Sequence, residues 1–306
     1  MNKNIQRFIL CSLCLVFGAM ILSFASGHGV FGLFNGKSIN FSKEIFLGDE
    51  RVQDIKQYSL KKDKASPVSL SIVFDNKTLR WGIARKPNNQ TPAADPGTPD
   101  LLAKYGAKYI GDTSRKVLYM TFDEGYENGY TPRILDSLKE NNVKAIFFIT
   151  GPYLKEHEDL VTRMVEEGHE VGNHTIHHPS LPSKNDTELK KEITQLNDSF
   201  KAKYGKDMLF LRPPMGEYSE RTLYLTRNMG YCNLFWSFAY DDWHRDVYRG
   251  AQYAQNMVDK NLHNGAVLLL HAVSKDNAEA LNAVIKASRA KGYEFGTPQE
   301  LLEGRK

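Results

Sequence analysis

The chain has 306 residues, with 40 lysines and arginines against 36 aspartates and glutamates, three cysteines and a hydrophobic fraction of 41%. That length and apolar content suffice for one sizeable core plus appendages, which excludes a disordered chain. The net charge of +4 is spread without a basic run, so nothing marks a nucleic-acid partner, and no protein partner is inferred.

Lys3 and Arg7 precede an uncharged apolar run over residues 8–25. About 18 apolar residues fall within the range of a membrane-spanning helix, and the positive flank puts the N-terminus in the cytoplasm and the remainder outside. Ala25-Ser26-Gly27 resembles a signal-peptidase site. Two fates are therefore open, an uncleaved anchor, which the length favours, and a secreted protein. Residues 1–26 form this segment. Cys11 and Cys14 lie inside it, so Cys232 has no partner outside it for a disulfide and reads as a buried strand thiol. Residues 27–80 are weakly periodic and read as a spacer, with one strand at 68–74. Residues 81–112 form an N-terminal extension of the catalytic part, marked by a loop through Pro87, Pro92, Pro96 and Pro99 and packed down by Trp81.

From about residue 116, strand-length apolar runs alternate with segments of helical period, the signature of repeated βα units. Residues 116–122 read as a buried strand that ends at Asp123-Glu124-Gly125. Thr131 is the N-cap of a helix with Pro132 in its first position, Ile134, Leu135 and Leu138 on one face and Asn141-Asn142 at its end. A strand at 143–149 follows. A helix through Leu160, Val161, Met164 and Val165 then stops at Gly168, and a short strand, 169–172, delivers Asn173-His174. Asp186 and Ser219 are N-caps of two further helices, and Gly230 ends the second. Runs 232–237 and 266–270 read as buried strands, and a helix over 277–291 with a strand over 293–295 closes the series.

This α/β pattern is compatible with an open doubly wound sheet and with an incomplete (β/α) barrel. Polar residues after successive strands, at Asp123, His174, Arg212, Asp242 and His271, favour the barrel, whose strand ends converge on one mouth.

His174 and His178 lie four residues apart, about fifty residues after Asp123-Glu124. On one helical turn that spacing brings two imidazoles to roughly 5–6 Å, close enough to share an ion. Neutral imidazoles with a carboxylate favour a borderline divalent metal such as zinc and leave a position open for water or a substrate oxygen. The competing reading is a polar loop with scattered histidines. An acidic pair at a strand end weighs against it.

Five blocks carry a resemblance: Thr121-Phe122-Asp123-Glu124-Gly125, His174-Thr175-Ile176-His177-His178-Pro179, Arg212-Pro213-Pro214-Met215-Gly216, Asp242-Trp243 and Leu269-Leu270-His271. Together they make residues 113–306 resemble the polysaccharide deacetylases of the NodB-homology type, carbohydrate esterase family four. The longer stretches 122–130 and 271–281 are similar to the delta-lactam-biosynthetic de-N-acetylases. That resemblance implies a distorted (β/α) barrel, peptidoglycan strands as substrate, one divalent ion, and removal of acetyl from N-acetylmuramic acid ahead of lactam formation in the spore cortex.

The resemblance also implies roles. Asp123 is the general base and His271 the general acid. Arg212 orients Asp123 and keeps it ionised, and Asp242 pairs with His271 and keeps it protonated. His174 and His178 hold the metal with Asp123, Glu124 or both. Leu269 lines the pocket for the acetyl methyl, the Met215 N–H assists the oxyanion, and Trp243 lies on the substrate side.

Two positions depart from the family pattern. The acidic pair is Asp-Glu where many members have Asp-Asp, and Ala239 stands where many carry an aspartate. They motivate the alternative of a non-catalytic glycan-binding relic. Deacetylation of chitin or of N-acetylglucosamine is a third reading, because catalytic residues do not choose the sugar.

Overall fold

The computed structural model describes residues 74–303 and four short strands upstream, Ile45–Leu47, Glu50–Val52, Tyr58–Leu60 and Leu70–Ile72. These four form two antiparallel pairs, and the last falls inside the run where the sequence suggests a strand. The apolar segment at 8–25 lies outside the described residues. Among those described, no helix is long and apolar enough to cross a membrane. The chain divides after Phe74 into two units, and the second carries everything below.

Its centre is a seven-stranded sheet. The strands are β1 (Val117–Glu124), β2 (Ala145–Ile149), β3 (Glu170–Asn173), β4 (Phe210–Leu211), β5 (Cys232–Asn233), β6 (Ala266–His271) and β7 (Glu294–Phe295). All pairings are parallel, in the order β5-β4-β3-β2-β1-β6, with β7 against the first residues of β1. Successive strands are neighbours without a reversal, and β6 returns to the free edge of β1, as barrel closure requires. A bridge between Phe238 and Leu268 brings the segment after β5 against β6. The result is a curled parallel sheet with helices outside it.

Strand alternation builds both layers. Leu118, Met120 and Phe122 of β1 face the helices with Ala145, Phe147 and Ile149, whereas Val117 and Tyr119 turn inward with Ile146, Phe148, Phe210, Cys232, Leu234 and Val267. Both faces are dry, so the strands read as continuous apolar runs. Each buried Phe or Leu contributes about 1.5–3 kcal/mol.

The helix caps correct two expectations. The helix Thr131–Glu140 has Tyr130 as its N-cap, and Thr131 is its first residue. The Glu127 carboxylate accepts from both the N–H and the hydroxyl of Thr131, supplying the acceptor that a capping side chain would otherwise give. The helix Asp186–Tyr204 is capped by Asn185, which forms a capping box with Glu188. Ser219 caps Glu220–Asn228 as expected. The proline-rich segment is more ordered than a loop. Ile83–Ala84 pairs with Ala93–Ala94, and a helix follows at Thr98–Lys104. Trp81 is buried, its indole N–H donating to the Trp236 carbonyl at 2.8 Å, while Leu79–Arg80 pairs with Glu217–Tyr218.

Candidate active site

Side chains two residues apart on a strand share a face. Val117 and Tyr119 of β1 point into the curl, so Thr121 and Asp123 do as well. The same parity carries Val267 to Leu269 and His271 on β6, and Phe210 to Arg212 after β4. Register aligns the ends, with His271 opposite Asp123 and Leu269 opposite Thr121. Period-two alternation therefore delivers Asp123, Arg212, Leu269 and His271 to one mouth.

Glu124 is the next residue on the strand, and alternation turns it to the helix side. It is fully buried, and among the described residues neither carboxylate oxygen has a hydrogen-bond partner within bonding geometry. Tyr153 lies nearby, but its hydroxyl bonds Glu127 and Thr131. Burial, then the charges of Glu127 and Asp123, push the Glu124 carboxyl well above its usual range. The sequence counts Glu124 among the metal ligands; this geometry does not bring it to the histidines. Because β1 runs through Glu124 instead of ending at Phe122, the side chain has no loop freedom with which to swing back.

The two histidines come together by another route than a helical turn. Asn173 ends β3, and its side-chain oxygen accepts from the Thr175 N–H at 2.8 Å. Thr175 and His178 then adopt left-handed backbone, φ 68 and φ 57, and the Thr175 hydroxyl accepts from the His178 N–H at 3.0 Å. Left-handed non-glycine residues cost about 1–3 kcal/mol each and persist where the surroundings impose them. The reward is an Nε2-to-Nε2 separation of 3.1 Å between His174 and His178. His174 Nδ1 lies 2.8 Å from the Arg212 carbonyl. A carbonyl only accepts, so Nδ1 carries the hydrogen and Nε2 presents a lone pair. Burial holds the His174 pKa down to about 4, and burial also lowers that of His178.

Asp123 completes this corner. One oxygen accepts from Arg212 Nη1 at 2.7 Å, and the other lies 3.6 Å from His174 Nε2. Arg212 is fully buried and placed over the Phe148 ring at 4.1 Å. Its Nε donates to the Leu234 carbonyl and its Nη2 to Thr121 Oγ1. Gly172 lets the Phe148 ring lie there, since a Cβ would come within 2.6 Å of it. Burial alone would raise the Asp123 pKa, but the Arg212 charge, helped by His174 and His271, outweighs it and holds the carboxyl below the usual range.

The opposite corner is a second ion pair. His271 Nδ1 bonds Asp242 Oδ1 at 2.7 Å, and the His271 backbone N–H donates to Asp242 Oδ2 at 2.9 Å. Asn277 donates to the same Oδ2 and accepts from the Tyr240 hydroxyl. Burial lowers the imidazole pKa, but the Asp242 charge and hydrogen bond outweigh it, so His271 is raised. With Nδ1 engaged, Nε2 is the atom left to carry a transferable proton. Trp243 is half exposed and stands edge-on to His271, centroids 5.9 Å apart. Leu269 is buried, and Met215 sits half exposed in a left-handed turn at Pro214–Gly216. Pro213 and Pro214 have no N–H, so that of Met215 is the first after Arg212.

Among the described residues, no group of three or more His, Cys, Asp or Glu closes a metal cage. The approach to one is His174, His178 and Asp123. The 3.1 Å between imidazole nitrogens is close to the spacing of two ligands about 2.0–2.1 Å from one tetrahedral ion. A lone pair fixed outward by a carbonyl, two neutral imidazoles and an ionised carboxylate suit a divalent cation in chemistry.

Thr121, Asn277, Tyr240 and Phe148 belong to the site, although the sequence assigns none of them a role. Thr121 was within reach, because it shares the inward face of Asp123 two residues on. Asn277 and Tyr240 become visible only when the fold brings them to Asp242.

Glu124→Gln is expected to leave metal affinity unchanged. A carboxyl whose pKa is raised by folding stabilises the protein fully below its unfolded value, about 4.3, and loses that contribution as pH rises through the folded value. The variant should therefore melt at or above the wild-type temperature at pH 8. Lost metal binding, measured by calorimetry, would restore Glu124 as a ligand.

Residues 110–234 match the family of polysaccharide deacetylases. The chain is 43% identical, over 74% of its own length and 87% of the relative's, to the peptidoglycan-N-acetylmuramic acid deacetylase PdaA of Bacillus subtilis. The solved structure of Bacillus subtilis PdaA, a family 4 carbohydrate esterase, superposes with a TM-score of 0.73 at 42% identity, covering 76% of this chain and all of that one. A peptidoglycan-N-acetylglucosamine deacetylase of Bacillus cereus is 32% identical over 62% of this chain and 89% of the relative.

Proposed function

We propose that this chain, which belongs to the polysaccharide deacetylase family, carbohydrate esterase family four, removes the acetyl group from N-acetylmuramic acid of peptidoglycan, leaving a free amine and acetate. The observation that carries the reading is the pairing of Asp123 with Arg212 and of His271 with Asp242 on one concave face. An ionised carboxylate and a protonated imidazole are the two proton-transfer partners that amide hydrolysis needs. The higher identity to the muramic acid enzyme than to the glucosamine enzyme supports the choice of sugar.

His174 and His178, with Asp123 beside them, would hold a divalent ion, zinc by the character of the donors, and that ion would polarise the acetamide carbonyl and acidify a water. The Asp123 oxygen not engaged by Arg212 takes the proton of the attacking water. Arg212 keeps that carboxylate ionised and aimed. The Met215 N–H donates to the oxyanion, and His271 Nε2 delivers a proton to the departing nitrogen, which leaves poorly as an amide anion. Leu269 lines the acetyl methyl pocket and Trp243 stacks on the sugar. The enzyme works outside the cytoplasm, held there by the segment at 1–26, with 81–112 and 113–306 as its catalytic part, and supplies the amine for lactam closure in spore cortex.

Purified protein given glycan strands should release acetate and leave de-N-acetylated muramic acid, read by mass spectrometry of the digest. Product on glucosamine alone would move the reading to the other sugar, and no release would leave a binding relic. The pH profile is a further check. The acid must be protonated, so activity persists below the folded pKa of His271 and falls above it; that limb should lie above the ordinary imidazole value of about 6.5. Asp242→Asn removes the anion that raises it, and the alkaline limb should move to lower pH. A limb that does not move removes His271 from the acid role.

A further inference from the structure

We propose that Arg245 selects the acidic sugar, its guanidinium receiving the carboxylate of the 3-O-lactyl arm of muramic acid beside the acetamide being hydrolysed. The inference rests on the muramic acid reading above. Muramic acid differs from glucosamine only at C3, where an ether-linked lactyl group ends in a carboxylate next to the C2 acetamide. A site that prefers muramic acid must meet that charge close to the chemistry, and Arg133, Arg212, Arg245 and Arg249, which follow the strands of the site, differ in what holds them.

Arg212 is enclosed and committed to Asp123. Arg249 is paired with Asp241 at 2.6 Å, and Arg133 with Glu279 at 3.7 Å. Arg245 is exposed, lies 4.4 Å over the Tyr126 ring, and makes no ion pair among the described residues. A guanidinium resting on an aromatic face keeps its N–H edge free, and that edge matches a carboxylate with two parallel hydrogen bonds.

The place of Tyr126 argues for the same role. It follows Asp123 by three residues, and its hydroxyl donates to the Trp243 carbonyl at 3.0 Å. Trp243 in turn stands against His271. Tyr126 and Trp243 are 44% and 46% exposed, so both rings are open to a ligand at the mouth of the site. The chain of contacts thus runs from His271 to Trp243, through the Trp243 carbonyl to Tyr126, and over the Tyr126 ring to the Arg245 guanidinium. Lys275, over the Tyr248 ring at 4.5 Å, belongs to a neighbouring cation–ring pair and serves as a control.

The test is steady-state acetate release by wild type, Arg245→Gln, Arg245→Lys and Lys275→Gln. Each is given peptide-free muramic strands and the same strands with their lactyl carboxylates converted to methylamides. Arg245→Gln should raise KM on the native strands about ten- to hundredfold, the worth of a charge-assisted bond, with kcat little changed. It should match wild type on the amidated strands. Arg245→Lys should fall between, and Lys275→Gln should behave as wild type on both. Equal KM for wild type and Arg245→Gln on native strands, or the same loss on both strands, overturns the proposal while the deacetylation reading stands. No release by wild type from native strands overturns both.

Discussion

Asp123→Asn is expected to lower kcat for acetate release by about 10²–10⁴-fold, the usual worth of a positioned general base, with little change in KM for the strands. Asparagine fills the same volume and still accepts from Arg212, but its amide cannot take a proton from water. The change also leaves the enclosed Arg212 guanidinium without an anion. Breaking a buried pair from one side costs about 3–5 kcal/mol, so kcat should be compared well below the variant's melting temperature, with circular dichroism recorded on the same sample. A folded Asp123→Asn protein with near wild-type kcat would take the base role away from Asp123.

The residues of the site were legible in the sequence to different depths, for physical reasons. Asp123, Arg212 and His271 follow apolar runs buried on both faces, so their positions at strand ends could be read from periodicity once barrel closure was assumed. The direction of Glu124 could have been read as well. A strand two residues longer than the apolar run suggests carries it to the opposite face from Asp123, and alternation permits only one of two adjacent carboxylates to enter the curl. The route by which His178 reaches His174 was not legible. Four-residue spacing argues for a helix, whereas the loop depends on two left-handed residues, held by Asn173 and by the Thr175 hydroxyl. Such strain is set by tertiary contacts and leaves no periodic trace. Likewise Asp186 is a good capping residue by type, yet Asn185 before it has the extended backbone that lets its side chain reach Glu188. Local propensity does not separate two adjacent capping residues.

Arg212→Met is the second large effect, and it separates stability from chemistry. The guanidinium is fully enclosed, bonded to Asp123, Thr121 and the Leu234 carbonyl and placed over Phe148. Removing it deprives Asp123 of the charge that outweighs its burial. At neutral pH the carboxyl should then shift towards its protonated form, and the base is lost although its atoms remain. In wild type, a carboxyl lowered by folding contributes stability above its unfolded pKa of about 3.9 and loses it as pH falls through the folded value. In Arg212→Met that acid-side loss should disappear, with overall stability down about 3–5 kcal/mol at pH 7 and residual activity rising toward alkaline pH. Replacing both partners, Asp123→Leu with Arg212→Met, leaves no stranded charge and should recover most of the stability, because well-packed apolar substitutes for a buried pair are often neutral or stabilising. Activity should not return. Denaturant melts of the two single variants and the double variant decide the matter. If the double variant is as unstable as the sum of the singles, the pair is not coupled, and the orientation of Asp123 must come from elsewhere in the site.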